Sequence, residues 1–254
     1  MLSKNQVKYL HSLRLGKYRD LNRAFSAEGI KLVDEFLQSH FKIQQIFATG
    51  SWIESHRHLT GPKNINPQAI TEDELKRISN LVTPNEVLAV VSYPESDIPS
   101  DDQLGKIILV LDHIQDPGNL GTIIRTADWF GIKHIFCSVD TVEVFNPKVV
   151  QSTMGSICRV NLHYGPVEDK LRNLDGWHVY GTMVDGENIY QANLLYPAAI
   201  VVGNESKGIS EVLQPLLTSR IGIPASREGA ESLNASVAAG IVCSEFIRRL
   251  AACS

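Results

Sequence analysis

Three stretches of this chain combine side chains that hold charge or orient protons with small residues that let a backbone come close. In DPGNLGTIIRTADWFG (116–131) a Pro-Gly turn predicts a helix N-cap at Asn119, with Arg125 about a turn and a half further on. A guanidinium set among small and apolar residues needs an anionic partner, because an unpaired buried charge is costly. In VVGNESKGIS (201–210) Glu205 lies just past an apolar run, between glycines that would let a ligand or another loop approach, and is expected opposite Arg125. The plainer reading of that stretch is a strand-to-helix loop capped by Ser210. In IPASREGAESLN (223–234) Pro224 stiffens the entry, Gly229 permits a tight turn, and Ser232 and Asn234 both suit a helix N-cap. One helix has one N-cap, so one of them is free for other work.

These loops need a scaffold. The run KIILVLD (106–112) is apolar and β-branched, as in a strand covered on both faces, and is followed by helix-patterned NLGTIIRTADWFG and then KHIFCSV, a βαβ unit. CRVNLHY, WHVYGTMV, AAIVVG and SRIGIPA read as further strands, with helices at NPKVVQSTMG, PVEDKLRNL, ISEVLQPLL and NASVAAGIVCSEFIRRLAA. The expected fold is α/β, an open parallel sheet with helices on both faces. Ligands gather beyond the carboxyl ends of such strands, where the three loops fall.

Upstream, PESDIPSDDQLG (94–105) has two prolines, a terminal glycine and four acidic residues, and reads as a linker. The expected division is a small N-terminal α/β domain (1–94), a linker (95–105) and a large C-terminal domain (106–254). The small domain is predicted to hold a helix in its first 15 residues, helices at EGIKLVDEFLQ and TEDELKRISN, and strands at KIQQIFAT and EVLAVVS.

A hydrophobic content of 43% over 254 residues is ample for a buried core. A net charge of −4 excludes a uniformly basic shell, so nucleic-acid contact would have to come from local clusters. The first 31 residues supply one, with seven cations (Lys4, Lys8, Arg14, Lys17, Arg19, Arg23, Lys31) against Asp20 and Glu28. Tyr9, Tyr18 and Phe25 lie among them and could stack on bases. Cys137, Cys158, Cys243 and Cys253 have no CxxC spacing and read as reduced core thiols. The N-terminus has no continuous apolar region and no run is long enough to span a bilayer, so a cytoplasmic location is expected.

In order and spacing, NLGTIIRTA, GNESKGIS and IP…SLNASVA resemble the three signature motifs of the SpoU/TrmH family of RNA ribose 2'-O-methyltransferases, in the SPOUT superfamily. The resemblance spans 106–250. KYRDLNRAFSAEGIKLVDEFL (17–37) is similar to the ribosomal-protein-like substrate-binding domain that many members carry. It implies a deep trefoil knot in the C-terminal sheet domain and S-adenosylmethionine as cofactor, without metal. The cofactor would be held chiefly by backbone at Gly203, Ile223 and Leu233, beside Ser232, Thr182 and Met183.

Arg125 is implied to accept the ribose proton or position the hydroxyl, with Asn119, Glu205 and Asn234 organising it and the substrate. A guanidinium stays protonated in proteins and is a poor base, so a phosphate clamp at the target nucleotide is a second reading of Arg125, and the two roles can be combined. RNA contact is expected at Lys17, Arg19, Arg23 and Lys31. A homodimer through the C-terminal domain is implied, with Val237, Ile241, Phe246 and Ile247 serving interface or core. Ala225, where the family usually has methionine, and the charged SREGAE string leave the path of 225–231 open.

Ribosomal RNA is the implied substrate, a guanosine among the candidate nucleotides. Transfer RNA, or an RNA-binding ribosome-assembly protein without catalysis, are the alternatives. A nicotinamide oxidoreductase is disfavoured because no GxGxxG follows the first strand of the large domain, and 201–210 lacks the GK[ST] ending of a P-loop.

Overall fold

The computed structural model describes residues 1–95, 99–226 and 231–252. Part of the linker, the turn expected at Gly229 and the thiol of Cys253 lie outside them. The chain divides into two units, one made of 1–95 with 143–158, the other of 96–142 with 159–254.

In the first unit, α1 (Lys4–Ser12) begins at a capping box in which Ser3 and Gln6 bond each other's backbone amides. It is followed by α2 (Gly16–Asn22), β1 (Ala24–Glu28), α3 (Ile30–Gln38), β2 (Ile43–Ala48), α4 (Gly50–Ser55), α5 (Arg57–Thr60), β3 (Gln68–Ala69), α6 (Glu72–Ile78) and β4 (Val87–Ser92). The strands order as β1-β4-β2-β3, with β4 antiparallel to both its neighbours. The expected helix at EGIKLVDEFLQ is shorter than its pattern. Glu28 belongs to β1, and Gly29, at φ +94°, turns the chain between strand and helix.

The second unit runs β5 (Ile107–Leu111), α7 (Pro117–Trp129), β6 (His134–Cys137), β7 (Asn161–Tyr164), α9 (Val167–Arg172), β8 (His178–Asn188), β9 (Ala198–Val202), β10 (Ser219–Gly222) and α10 (Ala235–Ala252). Between β6 and β7 the chain makes α8 (Pro147–Thr153), which belongs to the first unit. All strand pairs of the sheet β10-β8-β9-β5-β6-β7 are parallel, as expected. Its centre, β5 and β9, is buried throughout. The helix expected at ISEVLQPLL is absent. Pro215 interrupts that stretch, and a single 3-10 turn at Gln214–Leu216 takes its place.

Chain order reverses between β5 and β9, since β6 and β7 lie on one side of β5 and β8 to β10 on the other. The loops after β5 and β9 therefore open side by side at the topological switch point of the sheet.

Candidate active site

Asp116, not Asn119, caps α7. Its side chain accepts the Asn119 amide at 2.9 Å, and Pro117 occupies the first helical turn. Asn119 therefore sits inside the turn with its carboxamide free. Its Nδ2 donates to Glu205 Oε1 at 2.5 Å, and its Oδ1 accepts from Asn234 Nδ2 at 2.9 Å.

Asn234 is also the cap of α10. Its Oδ1 accepts the amides of Ser236 at 3.0 Å and Val237 at 3.3 Å, and the Ser236 hydroxyl at 2.6 Å. Of the two residues suited to cap this helix, Asn234 does so and bonds Asn119 as well, and Ser232 is left exposed. Three loops are thus joined by one line of side chains, Asn234 to Asn119 to Glu205.

Arg125 is not in that line. Six residues past Asn119 it is rotated by about 240° around the helix. It lies on the exposed face of α7, without a hydrogen bond or ion pair among the described residues. The expectation of a buried guanidinium opposite Glu205 is corrected: the apolar neighbours Leu120, Ile123, Ile124 and Ala127 face inward, and Arg125 does not. The same face carries Trp129, 85% exposed, and α10 exposes Val237 at 49%. Phe246 is fully buried and belongs to the core.

The strand ends beside the line carry glycines where other backbone comes close. A Cβ on Gly203 would lie 2.4 Å from the carbonyl carbon of Gly208, and one on Gly222 would lie 2.7 Å from the Met183 oxygen. Between Gly181 and Glu187 the pairing of β8 with β10 skips, so residues 182–186 leave the ladder. Thr182 Oγ1 donates to the Val201 carbonyl at 3.0 Å, and Met183 and Ile223 are half-buried. Leu233 is 46% exposed. Main-chain groups and apolar side chains are what this edge offers a ligand.

Residues that sequence reasoning passed over complete the site. Asp112, 2% exposed at the end of β5, accepts the Ser210 amide at 2.7 Å and lies 2.7 Å from His113 Nδ1. His113 has a left-handed backbone at φ +58°. The available signal was the Asp-His pair directly after the first apolar strand.

The N-terminal cations divide. Lys17, Arg23 and Lys31 are exposed, and the Arg23 guanidinium lies 4.9 Å from the centre of the Tyr93 ring. Arg19 is 3% exposed, ion-paired with Glu143 and donating to the carbonyls of Leu13 and Arg14, both at 2.9 Å. Its expected role in RNA contact is corrected to a structural one. Phe25 is buried against Phe145. Burial pushes the Cys243 thiol up to about 12 and raises that of Cys137, and Cys158 is buried as well. Among the described residues no helix is long and apolar enough to cross a membrane.

Residues 106–244 match the SpoU rRNA Methylase family, and residues 4–89 match the MRM3-like substrate binding domain. The 23S rRNA (guanosine(2553)-2'-O)-methyltransferase RlmP of Bacillus subtilis is 32% identical over 94% of this chain and 95% of its own. A solved chain from Porphyromonas gingivalis, described as a candidate RNA methyltransferase of the TrmH family, is 40% identical with a TM-score of 0.88, covering 98% of this chain and 99% of its own. The AdoMet-bound rRNA methyltransferase of Sinorhizobium meliloti is 30% identical with a TM-score of 0.86, covering 98% and 97%. The chain belongs to the SpoU rRNA methylase family.

Proposed function

We propose that this protein transfers a methyl group from S-adenosylmethionine to a ribose 2'-hydroxyl of ribosomal RNA, with a guanosine as the target nucleoside. The observation that carries this reading is the line Asn234, Asn119, Glu205 at the switch point, in a chain 32% identical along nearly its whole length to a guanosine 2'-O-methyltransferase.

The donor set suits the cofactor. S-adenosylmethionine has no phosphate, so the missing phosphate-binding glycine pattern is no obstacle. The ends of β8, β9 and β10 at Thr182, Met183, Gly203 and Ile223, with Ser232 and Leu233, would hold its adenosine by backbone groups and apolar contact. When bound, the cofactor supplies an electrophilic methyl, which leaves the protein to orient and deprotonate the nucleophile.

Asn119 and Asn234 hold the Glu205 carboxylate in one orientation, where it can accept a hydrogen bond from a ribose hydroxyl. Arg125 acts on the RNA, by clamping the phosphate beside the target ribose or by handling the proton of its 2'-hydroxyl. Its distance around α7 from the line favours completion across a homodimer, in which Arg125 of one copy meets the line of the other. The exposed Trp129 and Val237 support such an interface. The Arg249 side chain bonds the carbonyls of Ile189 and Ala192, and Tyr196 bonds that of Phe246. These ties of α10 to the 189–196 segment favour a knotted C-terminal domain. RNA contact by the first unit rests on Lys17, Arg23 and Lys31.

The test is a map of 2'-O-methylation across total RNA from cells with and without the gene. One ribosomal position, lost on deletion and restored by the wild-type gene but not by Arg125→Lys, is expected. An unchanged map with retained RNA binding would establish an assembly protein instead.

A further inference from the structure

We infer that His113 and Asn204 form a latch that sets the Glu205 carboxylate for methyl transfer, acting as positioning residues that touch neither substrate nor cofactor. The inference rests on the methyltransferase reading of the site.

His113 bonds in four directions. Its amide donates to Ser138 Oγ in the loop after β6 at 2.9 Å, and its carbonyl accepts from Asn204 Nδ2 in the loop after β9 at 2.9 Å. Its ring lies between two carboxylates, with Nδ1 2.7 Å from Asp112 and Nε2 3.2 Å from Asp140. A left-handed backbone is unfavourable for a residue with a Cβ and persists where the surroundings hold it. Here the ring is gripped from both sides, and the carbonyl is aimed at Asn204 as a result.

Asn204 turns that aim into a loop conformation. Its Oδ1 accepts the amides of Ser206 at 3.0 Å and Lys207 at 3.1 Å, folding the turn, and its backbone is paired with Gly208 in both directions. Glu205 lies inside this turn, so the position of its carboxylate against Asn119 follows from where Nδ2 of Asn204 is tied. Asp112 holds the far end of the same loop through the Ser210 amide. With the latch cut, Glu205 would keep its chemistry and lose its place.

The full chain is assayed for methyl transfer to ribosomal RNA from cells lacking the gene, as wild type, His113→Ala, His113→Gly and Asn204→Ser. Serine keeps an acceptor for the turn but has no donor that reaches His113. His113→Ala and Asn204→Ser are expected to lower kcat roughly 10- to 100-fold, the scale of a misplaced group. Affinity for S-adenosylmethionine should stay within about threefold, because ground-state binding is untouched. His113→Gly should lose less, since glycine adopts the left-handed backbone unaided. Wild-type kcat in His113→Ala and Asn204→Ser overturns the latch, as does a loss of kcat matched by equal losses of cofactor affinity and melting temperature. If the wild type transfers no methyl, the functional reading fails, and crystal structures of His113→Ala and Asn204→Ser decide the latch. Glu205 away from Asn119 supports it, and Glu205 still on Asn119 in both overturns it.

Discussion

Asn234 uses the two ends of one carboxamide in opposite directions, the oxygen on its own helix and the nitrogen on Asn119. Serine caps helices about as well but has no second arm. Asn234→Ser should therefore leave the melting temperature of α10 and its surroundings nearly unchanged and lower kcat about tenfold, within the range for one orienting contact. Asn234→Ala should lower kcat alike and also cost about 1 kcal/mol of stability through the lost cap. Melting curves beside single-turnover methylation check this, and full activity in the serine variant would show that the Asn119 contact is idle. The residue types at this site were legible in the sequence, and their divided use was not. Asn119 resembled a cap because a Pro-Gly turn precedes it, although Asp116 before Pro117 is the stronger capping pattern. Arg125 looked buried from its neighbours in sequence, whereas exposure on a helix is decided by the face.

The outer strands β6 and β7 meet through a pair of histidines. His134 Nδ1 and His163 Nε2 are 3.1 Å apart, and His163 stacks on Phe136 at 4.9 Å. Burial first, then the charges of His134 and Lys170, pushes the His163 imidazole down to about 4, and His134 is lowered by burial and Lys133. Lys170 is itself paired with Asp101. In the unfolded chain a histidine titrates near about 6.5, so below that pH the unfolded state takes up a proton that the folded state refuses. Stability should be full above about 6.5 and fall as the pH drops towards about 4. His163→Gln keeps a donor for His134 and should flatten this decline, as read from melting temperatures between pH 7 and pH 5; an unaltered slope would place the acid sensitivity elsewhere. At this scale the parallel sheet was legible, because its strands are short apolar runs between turn signals. β1 was missed because AFSAE lacks branched residues and is a strand only through its pairing with β4. The expected helix at 209–217 failed because its apolar spacing was followed across Pro215.

The whole chain passes between its two units three times, at 95/96, 142/143 and 158/159. The segment 143–158 is a working part of the first unit. Phe145 stacks on Phe25 at 4.6 Å and on Tyr93 at 4.2 Å, and Glu143 neutralises buried Arg19. A fragment ending at residue 95 would leave Arg19 buried without its partner and the Phe25 ring uncovered, defects that each cost about 3 kcal/mol. Such a fragment should give broad amide spectra and bind hydrophobic dyes, and a version carrying 143–158 on a short tether should give sharp ones. Sharp spectra from the bare fragment would show that the segment is dispensable. Nothing in the sequence between β6 and β7 signals this allegiance, since Phe145 and Glu143 are ordinary residues until Arg19, Phe25 and Tyr93, far earlier in the chain, are in place.

The same crossing has a consequence for the order in which the protein is made. Residues 1–95 leave the ribosome well before 143–158, so the first unit stays unfinished while β5, α7 and β6 of the second are already being synthesised. The nascent chain then has to keep Phe25 and Arg19 waiting, and the N-terminal unit closes only after 143–158 has been made.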